Sequence, residues 1–63
     1  MLENLKALRE EKGMTQEQLA SMARIHRVTI ARYELGEISP TLESAQRLAE
    51  ALQVPIEKLS KVG

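Results

Sequence analysis

Three arginines lie close together near the middle of the sequence. Arg24, Arg27 and Arg32 fall in a nine-residue stretch, 24–32, that contains no acidic side chain, so its formal charge is +3. A guanidinium can donate two parallel hydrogen bonds to a phosphate or to the O6 and N7 atoms of guanine. A solvated helix face can carry the same charges, so the surrounding elements must distinguish the two interpretations.

The charge of the whole chain argues in the opposite direction. Nine basic and nine acidic side chains cancel, so the molecule lacks the overall positive charge that usually marks a nucleic-acid-binding protein. Residues 1–23 have a charge of −1 and residues 33–63 a charge of −2. A net positive charge is therefore confined to the segment that holds the three arginines.

Catalysis and metal binding are not expected from this composition. The chain has no Cys and no Asp, and His26 is its only His. A disulfide, a thiolate zinc site and a cluster of His ligands are therefore excluded. A fold of this size also has little room for a substrate cavity. We predict a protein that is not an enzyme and that uses no cofactor or metal.

Length and hydropathy indicate one small domain, 1–63. Apolar residues make up 43% of the chain and charged residues 29%, and Tyr33 is the only aromatic residue. Aliphatic side chains must therefore fill the core. No apolar run approaches the ~20 residues that cross a membrane, and the N-terminus lacks the layout of a signal peptide. We expect a cytoplasmic protein with no membrane partner.

Local signals predict the first two helices. Leucines recur at steps of three in Leu2–Lys12 and Gly13 follows, which is typical of a helix and its C-terminal glycine. Thr15, with Gln18 three residues later, forms the signature of a capping box. A second helix therefore begins directly after Thr15.

The signals after residue 24 predict further helices and no strand. A third helix runs from Arg27 to about Leu35 and is ended by Gly36, so that two short helices joined by a turn match the helix-turn-helix motif. Pro55 is suited to the first position of a short last helix. The fourth helix has one apolar stripe, formed by Leu42, Ala45, Leu48, Ala49 and Leu52. The predicted fold class is all-α.

Helix geometry assigns two faces to the third helix. With Ile30 at the centre of the buried side and about 100° per residue, Tyr33 and Glu34 fall on that side. Val28 and Arg32 then point the opposite way, into solvent.

The exposed side of this helix offers side chains that can contact base edges. Arg27 and Thr29 flank its N-terminal end, which is the end that contacts bases when such a helix enters the major groove. Arg27 or Arg32 can bond guanine, and Val28 can contact a thymine methyl group. The alternative interpretation is an ordinary exposed surface.

Several segments of the chain carry a recognisable pattern, and their spacing is consistent with the predicted helices. They are Met14–Ala20, Ile25, Ile30, Tyr33–Gly36, Pro40 and Leu48–Leu52. In this register the sequence closely resembles the Cro/repressor-type helix-turn-helix family (XRE-like, lambda-repressor-like) over about Leu2–Leu59. The resemblance implies a compact five-helix DNA-binding domain whose helices 2 and 3 form the helix-turn-helix, acting as a transcriptional repressor or activator on two-fold operators.

Four positions depart from the pattern of the family. Arg24 stands where a turn glycine is common, which predicts a less common backbone state at some cost or a different turn. His26 replaces a small capping residue, and Gln53 and Pro55 replace residues that are often Gly and Ser. The start of the fifth helix is the least determined part of the prediction.

The start of the second helix is a candidate phosphate site. Gln16 is its first residue, where free backbone N–H groups and the helix dipole attract an anion, and the resemblance implies the same role. Thr15 is mainly a helix cap. For His26, capping, a phosphate contact and neither role are all open.

Arg9 and Glu34 lie on the apolar sides of their helices, four residues after Leu5 and Ile30. Charges that are partly buried need partners. The matching family positions form a bridge between helices 1 and 3, so the resemblance implies a structural ion pair here, without DNA contact.

The predicted function is that of a sequence-specific transcriptional regulator, a repressor by preference, that binds double-stranded DNA as a homodimer on a palindrome. The alternative is a protein-binding module, such as an antitoxin that holds a toxin, or the DNA-tethering domain of a larger regulator. The acidic balance of residues 33–63 and the apolar Leu35 and Ile38 suit a protein partner or a dimer contact.

Overall fold

The computed structural model describes residues 2–60, which form four α-helices and one 3-10 turn. The helices are α1 (Leu5–Glu11), α2 (Gln16–Ala23), α3 (Arg27–Leu35) and α4 (Leu42–Leu52), and the 3-10 turn is Ile56–Leu59. The described residues contain no strand, so the all-α prediction is confirmed. Among these residues no helix is long and apolar enough to cross a membrane.

The N-terminal helix begins three residues later than the predicted Leu2. The backbone N–H of Asn4 donates to the Leu59 carbonyl at 3.1 Å, and its side-chain amide donates to the Lys58 carbonyl at 3.1 Å. These bonds to the C-terminal part of the chain hold residues 2–4 outside the helix, while Leu2 is still buried. The helix ends at Glu11, one residue before the predicted Lys12, which is the cap residue. Gly13 follows the cap with a left-handed φ of +69°, as predicted for a C-terminal glycine.

The predicted fifth helix is a single 3-10 turn, so the five-helix description is corrected at its last element. Pro55 is not the first helical residue but the extended residue before the turn, with φ −61° and ψ 146°. Ser60 is extended again at the other end. Four residues between two extended residues leave room for one turn only, and the buried Leu59 fixes that turn to the core.

The capping box predicted for α2 is present. The Thr15 hydroxyl accepts a hydrogen bond from the Gln18 backbone N–H at 3.1 Å, and the Gln18 side-chain oxygen accepts one from the Thr15 N–H at 2.8 Å. Two backbone N–H groups that a helix start leaves without intrahelical partners are thereby satisfied. The local sequence thus fixes where α2 begins.

The turn between α2 and α3 is made by Arg24 in a left-handed conformation, with φ 59° and ψ 43°. The next N–H, that of Ile25, donates to the Ala20 carbonyl at 3.0 Å and closes the end of α2. Ala20 and Ala23 are both buried, and their small side chains let α2 pack closely against neighbouring helices. The helix-turn-helix therefore forms with Arg24 where a glycine is usual. Of the two alternatives predicted for this position, the less common backbone state is the one present.

One core is shared by all five elements. Its largest fully buried side chains come from every one of them: Leu5, Leu19, Ile30, Leu48, Leu52 and Leu59. Each such side chain stabilises the fold by about 1.5–3 kcal/mol relative to an exposed position. Ile30 is the member that belongs to α3, so the core determines which side of α3 faces solvent.

We expect Arg24→Gly to raise the free energy of unfolding by about 0.5–1 kcal/mol. A left-handed non-glycine residue costs about 1–2 kcal/mol, and glycine removes this strain. The greater entropy of glycine in the unfolded state cancels only part of the resulting stabilisation. Gln53, at φ 58° after α4, provides an independent repeat through Gln53→Gly. Urea unfolding measures both variants.

Gly36→Ala is the matched opposite change. Gly36 has a φ of +75°, and an added Cβ would meet no atom within 4 Å, so backbone strain alone should lower stability. If Arg24→Gly proves destabilising, the strain assigned to the turn does not exist.

Candidate nucleic-acid interface

The two faces of α3 are those predicted from helix geometry. Ile30 is fully buried and Tyr33 is 7% exposed, whereas Val28 is 45% exposed and Arg32 is also exposed. Thr29, on the flank, is half-buried. The helix is therefore anchored along one side and presents the other side to solvent.

The arginines around α3 are not engaged in the fold. Arg24, Arg27 and Arg32 are exposed, and within residues 2–60 no hydrogen bond or ion pair holds their side chains. His26 is also exposed and occupies the cap position of α3, but its side chain makes no capping bond. Of the roles left open for His26, capping is thus absent from this structure. The segment presents its positive charge to solvent.

The first turn of α2, the helix before α3, offers backbone N–H groups as hydrogen-bond donors. The N–H of Gln18 is taken by the Thr15 hydroxyl, which leaves those of Gln16 and Glu17 as free donors of the first turn within the described residues. Thr15 is exposed and Gln16 is half-buried. Such free N–H groups at the positive end of a helix dipole are suited to binding an anion.

Arg9 and Glu34 form an ion pair that links α1 to α3. Arg9 Nε donates to Glu34 Oε2 at 2.6 Å, and Arg9 Nη2 approaches Oε1 at 3.3 Å. The side chains are 10% and 4% exposed, respectively. Arg9 Nη1 also donates to the Met14 carbonyl at 2.7 Å, in the segment that leads into α2. The geometry is bidentate, and the described residues contain no buried side-chain nitrogen or oxygen without a partner.

The hydrogen bond that Arg9 donates to Glu34 is the main reason why the pKa of Arg9 is raised above its ordinary value. Burial acts in the opposite direction, and the charges of Glu34 and Glu10 add smaller increases. Because the folded-state pKa is the higher one, the contribution of Arg9 ionisation to stability is complete below the ordinary arginine pKa. It is lost only as the pH rises above that range.

Sequence reasoning missed one contact of this cluster. The Gln16 side-chain nitrogen donates to Glu34 Oε1 at 3.0 Å, so Gln16 joins the ion pair. The two residues are 18 positions apart and lie on different helices. No periodic or capping signal connects such positions, although both had been singled out for separate reasons.

The comparisons with known proteins show the family and the fold of this chain. A helix-turn-helix family model matches residues 5–59, and the chain belongs to that family. This confirms the resemblance seen in the sequence. A solved structure, the restriction-modification controller protein C.AhdI from Aeromonas hydrophila, is similar with a TM-score of 0.89 and 31% identity, covering 92% of this chain and 88% of that chain.

Curated relatives with similar sequences carry names of transcriptional regulators. A putative HTH-type transcriptional regulatory protein of Pyrococcus horikoshii is 46% identical over 86% of this chain and 17% of its own length. The HTH-type transcriptional repressor RghR of Bacillus subtilis is 41% identical over 90% of this chain and 43% of its own length. This chain therefore spans less than half the length of these two relatives.

We expect Arg9→Ala to lower the free energy of unfolding by about 3 kcal/mol, because it leaves the buried Glu34 carboxylate without its partner. Thermal melts of Arg9→Ala, Glu34→Ala and the double variant measure the coupling. The double variant should lose much less than the sum of the two single losses.

The pair formed by Arg47 and Glu43 on α4 is the control for this measurement. It has a similar distance of 2.9 Å, but its side chains are 46% and 75% exposed. Exposed pairs at this helical spacing contribute about 0.3–0.5 kcal/mol. Additive losses at Arg9 and Glu34 would show that the two side chains do not stabilise each other.

Proposed function

We propose that this chain binds double-stranded DNA sequence-specifically through α3 in the major groove and regulates transcription. The observation that carries the proposal is the exposed face of α3, where Arg27 and Arg32 have no partner within the described residues while Ile30 fixes the opposite face in the core. A rigid helix with uncommitted guanidinium groups is what direct readout of guanine requires. Membership of the helix-turn-helix family supports the proposal.

The side chains on the exposed part of α3 and directly before it divide into two roles. Arg27 and Arg32 are the candidates for bidentate bonds to guanine, Val28 for contact with a thymine methyl group, and Thr29 for a single hydrogen bond to either kind of base. His26, directly before the helix, is a candidate for a contact with the DNA backbone. These side chains lie within seven residues, so they suit a few successive base pairs.

The start of α2 supplies the proposed backbone contact. Gln16 would bind a phosphate through its N–H groups, with Thr15 holding the helix start in shape. A phosphate contact positions the protein on the duplex but carries no sequence information. In this proposal α2 contributes to affinity through the phosphate contact, and α3 provides the sequence specificity through its base contacts.

Repression is the regulatory outcome that this domain supports most directly. Occupying an operator is enough to exclude another protein from the same DNA, whereas activation requires a further contact with the transcription machinery. Among the relatives, RghR of Bacillus subtilis is named a repressor and BcrR of Enterococcus faecalis an activator. We therefore propose repression for this chain.

Exposed apolar side chains after α3 support the association of two copies. Among the described residues, five large hydrophobic side chains are exposed, and three of them lie in the segment from the end of α3 to the start of α4: Leu35 at 73%, Ile38 at 40% and Leu42 at 69% exposure. Leu42 also lines a cavity of about 290 Å³ whose other lining side chains are mainly apolar, among them Leu2, Ile56 and Leu59. Three such side chains offer a small apolar area, which suits a weak dimer that pairs on DNA or, in the alternative function, a protein partner.

We expect Arg27→Ala to weaken specific binding by about 1–3 kcal/mol and to relax the preference at one base pair per half-site. Fluorescence anisotropy against the duplex selected by the purified protein and against random duplex measures this, at two salt concentrations. Arg47→Ala, an exposed arginine outside the helix-turn-helix, is the matched control and should keep the same base preference.

Two outcomes contradict parts of this assignment. Equal weakening on both duplexes would make Arg27 a phosphate contact. If wild-type protein binds neither duplex at low salt, DNA binding itself is wrong, because contacts with phosphates become stronger as salt falls. The protein-partner function would then be favoured.

We expect two copies on each operator, because one helix reads too few base pairs to select a site among the ~10⁶–10⁹ competing sites of a genome. Two-fold symmetry places the half-site centres about 34 Å apart. Light scattering with saturating protein on a full palindrome should give a complex of two protein copies on one duplex. Leu35→Ser should weaken the cooperativity with which the two copies bind. A 1:1 complex at saturation would refute the dimer.

A further inference from the structure

The contact between Gln16 and Glu34 determines how the Gln16 amide can be used. An amide group has two ends, a nitrogen that donates and an oxygen that accepts. In the structure the nitrogen faces the Glu34 carboxylate, with Nε2 donating to Oε1 at 3.0 Å. Because the carboxylate of an ion pair only accepts, the opposite orientation would place two acceptors against each other. Glu34 therefore selects one orientation of the amide.

The carboxylate that makes this selection is itself held in place. Glu34 Oε2 accepts from Arg9 Nε at 2.6 Å, and Oε1 lies 3.3 Å from Arg9 Nη2. The guanidinium is fixed in turn by the Met14 carbonyl. Both carboxylate oxygens are thus restrained, and the Glu34 side chain is only 4% exposed. Rotation of the carboxylate would break the bonds that hold it to the buried guanidinium.

One N–H of the Gln16 amide nitrogen remains after the bond to Glu34. The same residue begins α2, where the backbone N–H groups of Gln16 and Glu17 are free. A phosphate oxygen accepts hydrogen bonds and donates none, so it is bound by donors alone. An amide whose nitrogen is held by Glu34 keeps its second N–H as a donor on the same residue that begins α2. No free side chain then has to be ordered when a phosphate binds.

We propose that Glu34 is a positioning residue for DNA binding, which orients the Gln16 side-chain amide as a phosphate donor before DNA arrives. This inference rests on the proposed function, since it requires Gln16 to contact a phosphate. Arg9 has two effects in this arrangement, because it fixes the carboxylate and compensates a negative charge that would repel the DNA backbone. The cluster therefore couples the first turn of α2 to the position of α3.

The experiment is a double-variant cycle on DNA affinity. Glu34→Gln keeps the shape of the side chain but can donate as well as accept, and Gln16→Ala removes the amide. Dissociation constants for random duplex are measured by anisotropy at two salt concentrations for the wild type, both single variants and the double variant. Thermal melts select a temperature at which all four proteins are folded.

The cycle separates positioning from charge. Glu34→Gln removes a negative charge and should tighten DNA binding in the Gln16→Ala background. With Gln16 present, the loss of amide orientation should offset that gain in affinity. The factor by which Glu34→Gln changes the dissociation constant should therefore differ at least about twofold between the two backgrounds. Glu43→Gln, the same change in the exposed pair on α4, is the control and should have equal effects in both backgrounds.

A second measurement does not depend on any variant being folded. In wild-type protein, NMR should show one Gln16 side-chain amide proton shifted downfield by its bond to Glu34, both free and on random duplex. Random-coil positions for both amide protons would overturn the inference. Equal effects of Glu34→Gln in the two backgrounds would also overturn it while leaving the phosphate contact intact. If Gln16→Ala leaves affinity unchanged, the Gln16 side chain makes no phosphate contact and the inference fails, whereas the proposed contact through the backbone N–H groups of α2 does not depend on this result.

Discussion

The buried ion pair between Arg9 and Glu34 holds α3 in its place relative to α1 and to the start of α2. A nine-residue helix is marginal by itself, and α3 has few large apolar side chains with which to anchor itself. Burying two charges costs free energy that only good geometry recovers. Here that geometry consists of two contacts between the side chains and a third bond to the Met14 carbonyl. Removing either partner leaves a buried charge, which is why the orientation of α3 depends on both.

The core complements this pair by deciding which side of α3 is left for binding. Ile30 and Tyr33 are buried, so the side chains on the opposite side must face water. Ala20 and Ala23 allow α2 to approach its neighbours closely, and Arg24 makes the turn despite its left-handed backbone. The result is a surface on which the side chains of Arg24, Arg27 and Arg32 make no hydrogen bond or ion pair within residues 2–60. A side chain that stabilises nothing in the fold is free to be selected for what it binds.

A molecule with no net charge can still bind a polyanion when its charges are sorted. Residues 24–32 have a charge of +3 and residues 33–63 a charge of −2. At physiological salt, charges farther apart than about 8 Å are largely screened, so a phosphate responds to the arginines nearest to it. Glu34, the acidic residue of α3, is buried beneath Arg9 and compensated by it. The cancellation in the whole chain therefore says little about this surface.

The sequence by itself determined the features that depend on neighbours along the chain. The capping box of Thr15 and Gln18, the limits of α3 and its two faces follow from interactions within one or two helical turns, which leave a visible pattern. Tertiary structure decided the features that depend on distant partners. The bond from Asn4 to Leu59 makes α1 begin three residues later than predicted. The extended residues on both sides of Ile56–Leu59 limit the fifth helix to one turn. The Gln16 amide bonds to a carboxylate 18 residues away. Such contacts exist only after the helices pack, because packing alone brings residues without local spacing within hydrogen-bond distance.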